Sequence, residues 1–242
     1  VSRLFPLIPV TRQLPEEITM SIGWSFPLVL SALCVQQSAA TCNALYSRGV
    51  SSEDINLIVH HHNWYKSRVA SGQEGLGAPG PQPTGANMRQ LEWDDELARK
   101  AQNHADQCIF GHDDRDNRRV SRFSVGQNLY TRSTSNFDSE VEWGRAIKEW
   151  YSEVKDFSPN SINPYQFNSG VGHYTQMVWA DTYKIGCGYT FYKEGRWHKK
   201  LYTCNYGPAG NFLNQDMYRR GSSCSSCPRG TSCSNKYSGL CN

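Results

Sequence analysis

The chain of 242 residues has no Asn-x-Ser/Thr sequon, so no N-linked glycan is expected on its surface. Its net charge is only +3, too little to argue for a nucleic-acid partner. Long apolar runs are also scarce. The one that stands out, Ile22 to Val35, is too short to span a membrane. No serine, threonine or cysteine shows the neighbouring base and orienting group that an activated nucleophile needs, which leaves nucleophilic hydrolysis unsupported. Hydrophobic residues make up 38% of the chain, enough for one globular domain with a sizeable core. Cysteine, by contrast, is plentiful at nine residues.

The apolar run reads as the hydrophobic core of a secretory leader over residues 20–40. Met20 opens it, and Ala39 and Ala40 supply the small residues for cleavage before Thr41. Residues 1–19 read as an upstream, non-structural segment, and 41–50 as an N-terminal arm. Cleavage would remove Cys34 and leave eight cysteines, an even number that suits an oxidising compartment and extracellular location. The count alone permits 105 pairings and selects none.

Ser51 to Asp54 carries a capping pair ahead of a helix, whose apolar stripe is Ile55, Ile58, Val59, His62, Tyr65 and Val69. Residues 71–87 hold five glycines and three prolines and form a loop. A second helix is expected over about 93–108 and a third over about 139–157. Residues 111–124, with Arg115, Arg118, Arg119 and Arg122, read as a solvated basic loop, the competing reading being a patch for an acidic surface. The aromatic and β-branched segments 174–180, 184–192 and 197–206 read as antiparallel strands, the last two joined by a hairpin at Glu194-Gly195. Cys187 and Cys204 sit symmetrically about that turn, where a cross-strand disulfide can close. Helices around a small sheet call for an α+β fold with the sheet between helical layers.

Two stretches are far more specific: Gly172-His-Tyr-Thr-Gln-Met-Val-Trp-Ala-Asp-Thr182 and Leu201-Tyr-Thr-Cys-Asn-Tyr-Gly-Pro-Ala-Gly-Asn-Phe212. They resemble the two signatures of the CAP superfamily, which holds cysteine-rich secretory proteins, antigen-five venom allergens and plant pathogenesis-related proteins. The resemblance is strongest to arthropod or molluscan venom-allergen-like members. It implies a three-layer α-β-α sandwich over residues 51–217, followed by a short cysteine-rich, hinge-like tail over 218–242. It also implies the pairings Cys224–Cys233 and Cys227–Cys241 in that tail, and Cys42–Cys108 for the arm. A cysteine that wasp allergens carry just after the His-Asp pair is replaced here, since Asp114 and Arg115 follow His112-Asp113.

The family's cleft carries two histidines and two acidic residues. They map onto His112, Glu153 and His173, with Gln127 standing at the fourth position. Two imidazoles and a carboxylate can hold zinc in that cleft, although no cofactor is required, and Gln127 cannot act as a base. His62-Asn63 reads as structural. Three functions follow as expectations. The first is a secreted venom or salivary allergen-like effector, acting by binding a host or prey protein or a sterol or other lipid. The second is an ion-channel modulator using the basic hairpin Lys193, Arg196, Lys199 and Lys200. The third is a metal-dependent peptidase. The first is favoured, with no catalytic residue assigned, no nucleic-acid partner and no transmembrane segment once the leader is removed.

Overall fold

The structure is a computed structural model that describes Cys42 and residues 44–242. The segment 1–19, the expected leader at 20–40 and Cys34 therefore lie outside the described residues.

Helix α1 (Ser52–Ala70) starts as its sequence dictates. The Ser51 hydroxyl accepts from the Asp54 amide, and the Asp54 carboxylate returns the bond to the Ser51 amide. Its inward face is Ile58, His62, Val69 and Ala70, all fully buried, together with Asn63 and Lys66. Asn63 and Leu91 exchange two hydrogen bonds, which fixes the incoming chain against this helix. The Lys66 ammonium is buried and donates to the carbonyls of Trp179 and Thr182, each at 2.7 Å.

Helix α2 (Asp95–Ala105) is capped by Asp94 and buries Leu97, Ala101 and Ala105. It stops short of Cys108, which adopts a left-handed φ of 57° that no helix can continue. Helix α4 (Trp143–Ser152) is shorter than the expected 139–157, and a 3₁₀ turn over Glu153–Asp156 carries the chain on from it. A single turn, α3 (Arg115–Arg118), interrupts the basic loop between them.

The sheet has the order β1-β4-β5-β3, with β1 (Ala44–Arg48), β3 (Gly126–Thr134), β4 (Lys184–Glu194) and β5 (Trp197–Gly207) all pairing antiparallel. A two-residue strand, β2 (Glu92–Trp93), adds one short parallel pairing to β4. Cys187 faces Cys204 in the β4–β5 register, with their Cα atoms 4.1 Å apart and the sulfurs bonded. For a loop of this length such a link contributes about 3 kcal/mol. Successive residues of β4 serve opposite layers. A Cβ at Gly186 or Gly188 would meet the α2 backbone, 2.2 Å from the Ala98 nitrogen or 2.4 Å from the Gln102 nitrogen, so α2 lies directly on that face. Ile185, Cys187 and Tyr189 instead join the main core beside residues of α1, α4 and α5. The fold is the expected α+β sandwich, with the antiparallel sheet between helical layers.

One expected strand is absent. Residues 174–180 belong to helix α5 (Gly172–Val178) and the turn after it. Tyr174 to Val178 are five consecutive buried residues, a pattern that cannot separate a buried helix from a buried strand. The decision is made elsewhere in the chain. No residue of the segment caps α5, but the Glu153 carboxylate accepts from the His173 and Tyr174 amides at 2.9 and 3.0 Å. It thereby satisfies donors that a helix N-terminus leaves open.

The tail does more than form disulfides. Cys224 is bonded to Cys233 and Cys227 to Cys241, while Tyr218, Tyr237 and Leu240 join the same core as α1. Backbone bonds from Cys241 to Met88 and from Gln90 to Cys241 fasten its end. At the other terminus Cys42 is bonded to Cys108.

Candidate functional site

Histidine 173 is the second residue of α5. Its Nδ1 lies 2.6 Å from Glu153 Oε1, while Oε2 of the same carboxylate holds the α5 amides. One acidic side chain therefore starts the helix and orients the imidazole. Histidine 112 lies in the segment that leaves Cys108, and β3 holds it: Gln127 Oε1 accepts from the Asp113 amide at 2.9 Å and is 3.2 Å from His112 Nδ1. The Gln127 amide nitrogen donates to Asn205 Oδ1 on β5, whose own amide nitrogen donates to the Leu97 carbonyl on α2. These bonds fix which end of Gln127 is oxygen, so His112 Nδ1 must be the donor. The next residue, Asn128, donates to the His173 carbonyl and to the Tyr206 hydroxyl. Consecutive residues of β3 thus anchor both histidine segments.

With Nδ1 spent in each ring, the Nε2 lone pairs of His112 and His173 have no protein partner among the described residues. An acceptor on Nδ1–H that leaves Nε2 bare is the usual preparation of an imidazole for a metal. The two rings therefore suit zinc. Their partners contribute differently from the expected ligand set: the oxygens of Glu153 and Gln127 are engaged in orienting the rings. His112, His173 and Glu153 also do not gather three ligating atoms within 4.8 Å. The group that does so among the described residues is Cys224, Cys227 and Cys241, whose sulfurs are all in disulfides and offer no thiolate.

A cavity of about 840 Å³ opens beside this arrangement. His112 and Gln127 line it on one side, and Gln176 and the segment 209–212 on another, while the basic loop forms the rest of its wall. Glu153 and His173 are not part of that lining. The loop expected to be merely solvated is therefore a wall of this cavity. Sequence reading passed over Asn128, Asn205 and Gln176 as site-building residues. Asn205 and Gln176 stood inside the two signature stretches, and that was the available signal. Gln176 accepts from the Gly210 amide and donates to Thr182, holding the second signature against the first.

The basic hairpin disperses. Lys200 is 1% exposed and paired with Asp138 and Glu142, Lys199 is paired with Glu194, and the Arg196 guanidinium stacks on Trp197.

These features are those of the CAP fold, and the comparisons agree. Residues 59–206 match the cysteine-rich secretory protein family, CAP, and the chain belongs to that family. It is 46% identical over 210 residues to a CRISP/Allergen/PR-1 protein of Trittame loki, covering 84% of this chain and 51% of that protein. It is 47% identical over 174 residues to venom allergen 5 of Dolichovespula arenaria, covering 72% and 84%. The chain spans about half the length of the Trittame and Tityus relatives. The zinc-bound crystal structure of NaASP2 superposes with a TM-score of 0.68 at 34% identity, covering 80% of this chain and 97% of that one. BmVAL-1 follows at 0.67 and 32%, covering 79% and 95%. No helix of the described residues is long and apolar enough to cross a membrane.

Proposed function

We propose that this protein is a secreted, venom-allergen-like effector that acts by binding rather than by catalysis, with a cleft that takes zinc through His112 and His173. The observation that carries the reading is the state of the carboxylate. Glu153 is committed to two backbone amides and one imidazole, so it cannot also serve as the general base of a metallopeptidase. Gln127 has no titratable group to replace it. Zinc bound here would supply Lewis acidity, and the residues around it would position a ligand without a group to move its proton. Host or prey proteins are the favoured partners, with a sterol or other lipid second. Channel modulation through the hairpin is disfavoured, because Lys199 and Lys200 are neutralised by carboxylates. The kinship with venom proteins of spiders, scorpions and wasps supports secretion as the setting.

The test is zinc titration calorimetry on the full chain alongside a peptide-hydrolysis assay. Binding that is lost in His173→Ala, with no hydrolysis at any zinc concentration, is expected. Chelator-sensitive turnover by the wild-type chain would overturn the proposal.

A further inference from the structure

The basic loop offers four guanidinium groups to one cavity, and they are not equivalent. Arg122 is fixed by a two-pronged bond to Asp94 and a further bond to Glu96. Arg118 donates to the carbonyls of Val125 and Asp113 and so shapes the loop itself. Arg115 and Arg119 differ: both are exposed, and neither has an acidic or carbonyl partner among the described residues. They lie four residues apart across the single turn of α3 and line the same cavity. Like charges at that spacing repel, and the turn accepts the cost without internal compensation. Asp116 is the one acidic side chain in the cavity wall. The site is thus electropositive, and two of its forked donors have no protein partner among the described residues.

The rest of the lining narrows the ligand. Phe123, Phe212 and Val120 give the cavity an apolar component, and the guanidinium of Arg122 covers the Phe123 ring. A sulfated polysaccharide is matched by a long ridge of many free cations. Here there are two, set in a concave and partly apolar space. A volume of about 840 Å³ falls in the range that takes a small ligand or a few residues of peptide.

We propose that this cavity binds a short acidic segment of a partner protein, with two carboxylates on Arg115 and Arg119 and an apolar side chain against the Phe123 and Phe212 lining. Guanidinium is suited to this because its planar fork matches a carboxylate with two parallel bonds. The inference rests on the binding reading given above and adds the partner's chemistry. It does not require metal.

Fluorescence anisotropy of a labelled hexapeptide with two glutamates flanking a phenylalanine tests it, using the full chain with a chelator present. Saturable binding is expected, weakening as salt rises because exposed charges are screened. The glutamine version of the peptide should not bind. The double variant Arg115→Gln/Arg119→Gln should bind at least roughly tenfold more weakly, as expected for loss of two charge-assisted pairs. Its melting temperature should not fall, since both side chains are exposed and their mutual repulsion is relieved. Arg115→Glu/Arg119→Glu should abolish binding. Equal binding by wild type and the double variant, or no binding by wild type, would overturn the proposal. So would retention of a heparin fragment in place of the peptide, which would assign the cavity to polysaccharide. Zinc-dependent cleavage of the peptide, detected by mass spectrometry after the chelator is omitted, would instead sink the non-catalytic reading beneath it.

Discussion

Two pairs of histidines in this molecule are built on the same side chain for opposite ends. His62 and His104 are interior. His62 uses Nδ1 on the Ile58 carbonyl and Nε2 on the Tyr206 hydroxyl, and His104 uses its two nitrogens on Thr203 Oγ1 and the Gly111 carbonyl. His112 and His173 are more open, and each has one nitrogen held and the other bare. The difference lies in the second nitrogen. Where it finds a protein partner the histidine is a strut between layers, and where it does not the ring keeps a lone pair for the zinc proposed above. Burial sets the acid–base behaviour of the interior pair: His62 is held down to about 4, chiefly by desolvation, and His104 is lowered for the same leading reason.

The largest effect expected from breaking this division is at Glu153. Glu153→Ala removes three hydrogen bonds to a charged acceptor and leaves the first amides of α5 without a partner. It should cost about 4 kcal/mol, read by thermal or urea unfolding, and should abolish zinc binding at His173. Glu153→Gln keeps one acceptor oxygen and should lose about half as much.

Acid should expose the interior pair next. The unfolded His62 takes up a proton near 6.5 and the folded one only near 4, so the unfolded state binds more protons between those values. Stability should therefore fall as pH drops through that window, by about 3 kcal/mol in total, with no further contribution from this residue below it. His62→Gln should flatten the slope. An unchanged pH profile in that variant would show that the buried ring is not the titrating strut.

Converting one cleft histidine into a copy of the other gives a finer comparison. Gln127→Glu would set a carboxylate behind His112, as Glu153 is set behind His173. Zinc should bind about tenfold more tightly through the more basic ring, by calorimetry. The same change removes the donor to Asn205 Oδ1 and should cost about 1–2 kcal/mol of stability. Tighter binding without that cost would show that Asn205 turns over freely, despite its bond to Leu97.

The smallest effect is expected where a side chain was already committed. Arg122→Gln breaks an exposed set of ion pairs and should leave the melting temperature nearly unchanged and acidic-peptide binding nearly intact. A large loss of binding would move the proposed anion site from Arg115 and Arg119 to Arg122.

Local signals in the chain determined a good deal. The Ser51–Asp54 cap, the buried stripe of α1, the β4–β5 hairpin and the facing of Cys187 with Cys204 all follow from nearest-neighbour chemistry or a two-residue period. The two signature stretches, being long, carried the family; the first contains His173, and His112 and Glu153 followed from the family's other motifs. Tertiary structure decided what no local pattern contains. Whether 174–178 coils or extends depended on a carboxylate some twenty residues earlier. Whether both ring nitrogens of a histidine are engaged, or only one, depended on what the opposite strand or helix offers the second. Which arginines of the basic loop are committed was decided by Asp94 and Glu96 at the start of α2, which hold Arg122, and by the loop's own carbonyls, which hold Arg118. Arg118 apart, each outcome turns on a hydrogen bond or ion pair between residues distant in sequence, and such partners are assigned only when the sheet and its two helical layers close.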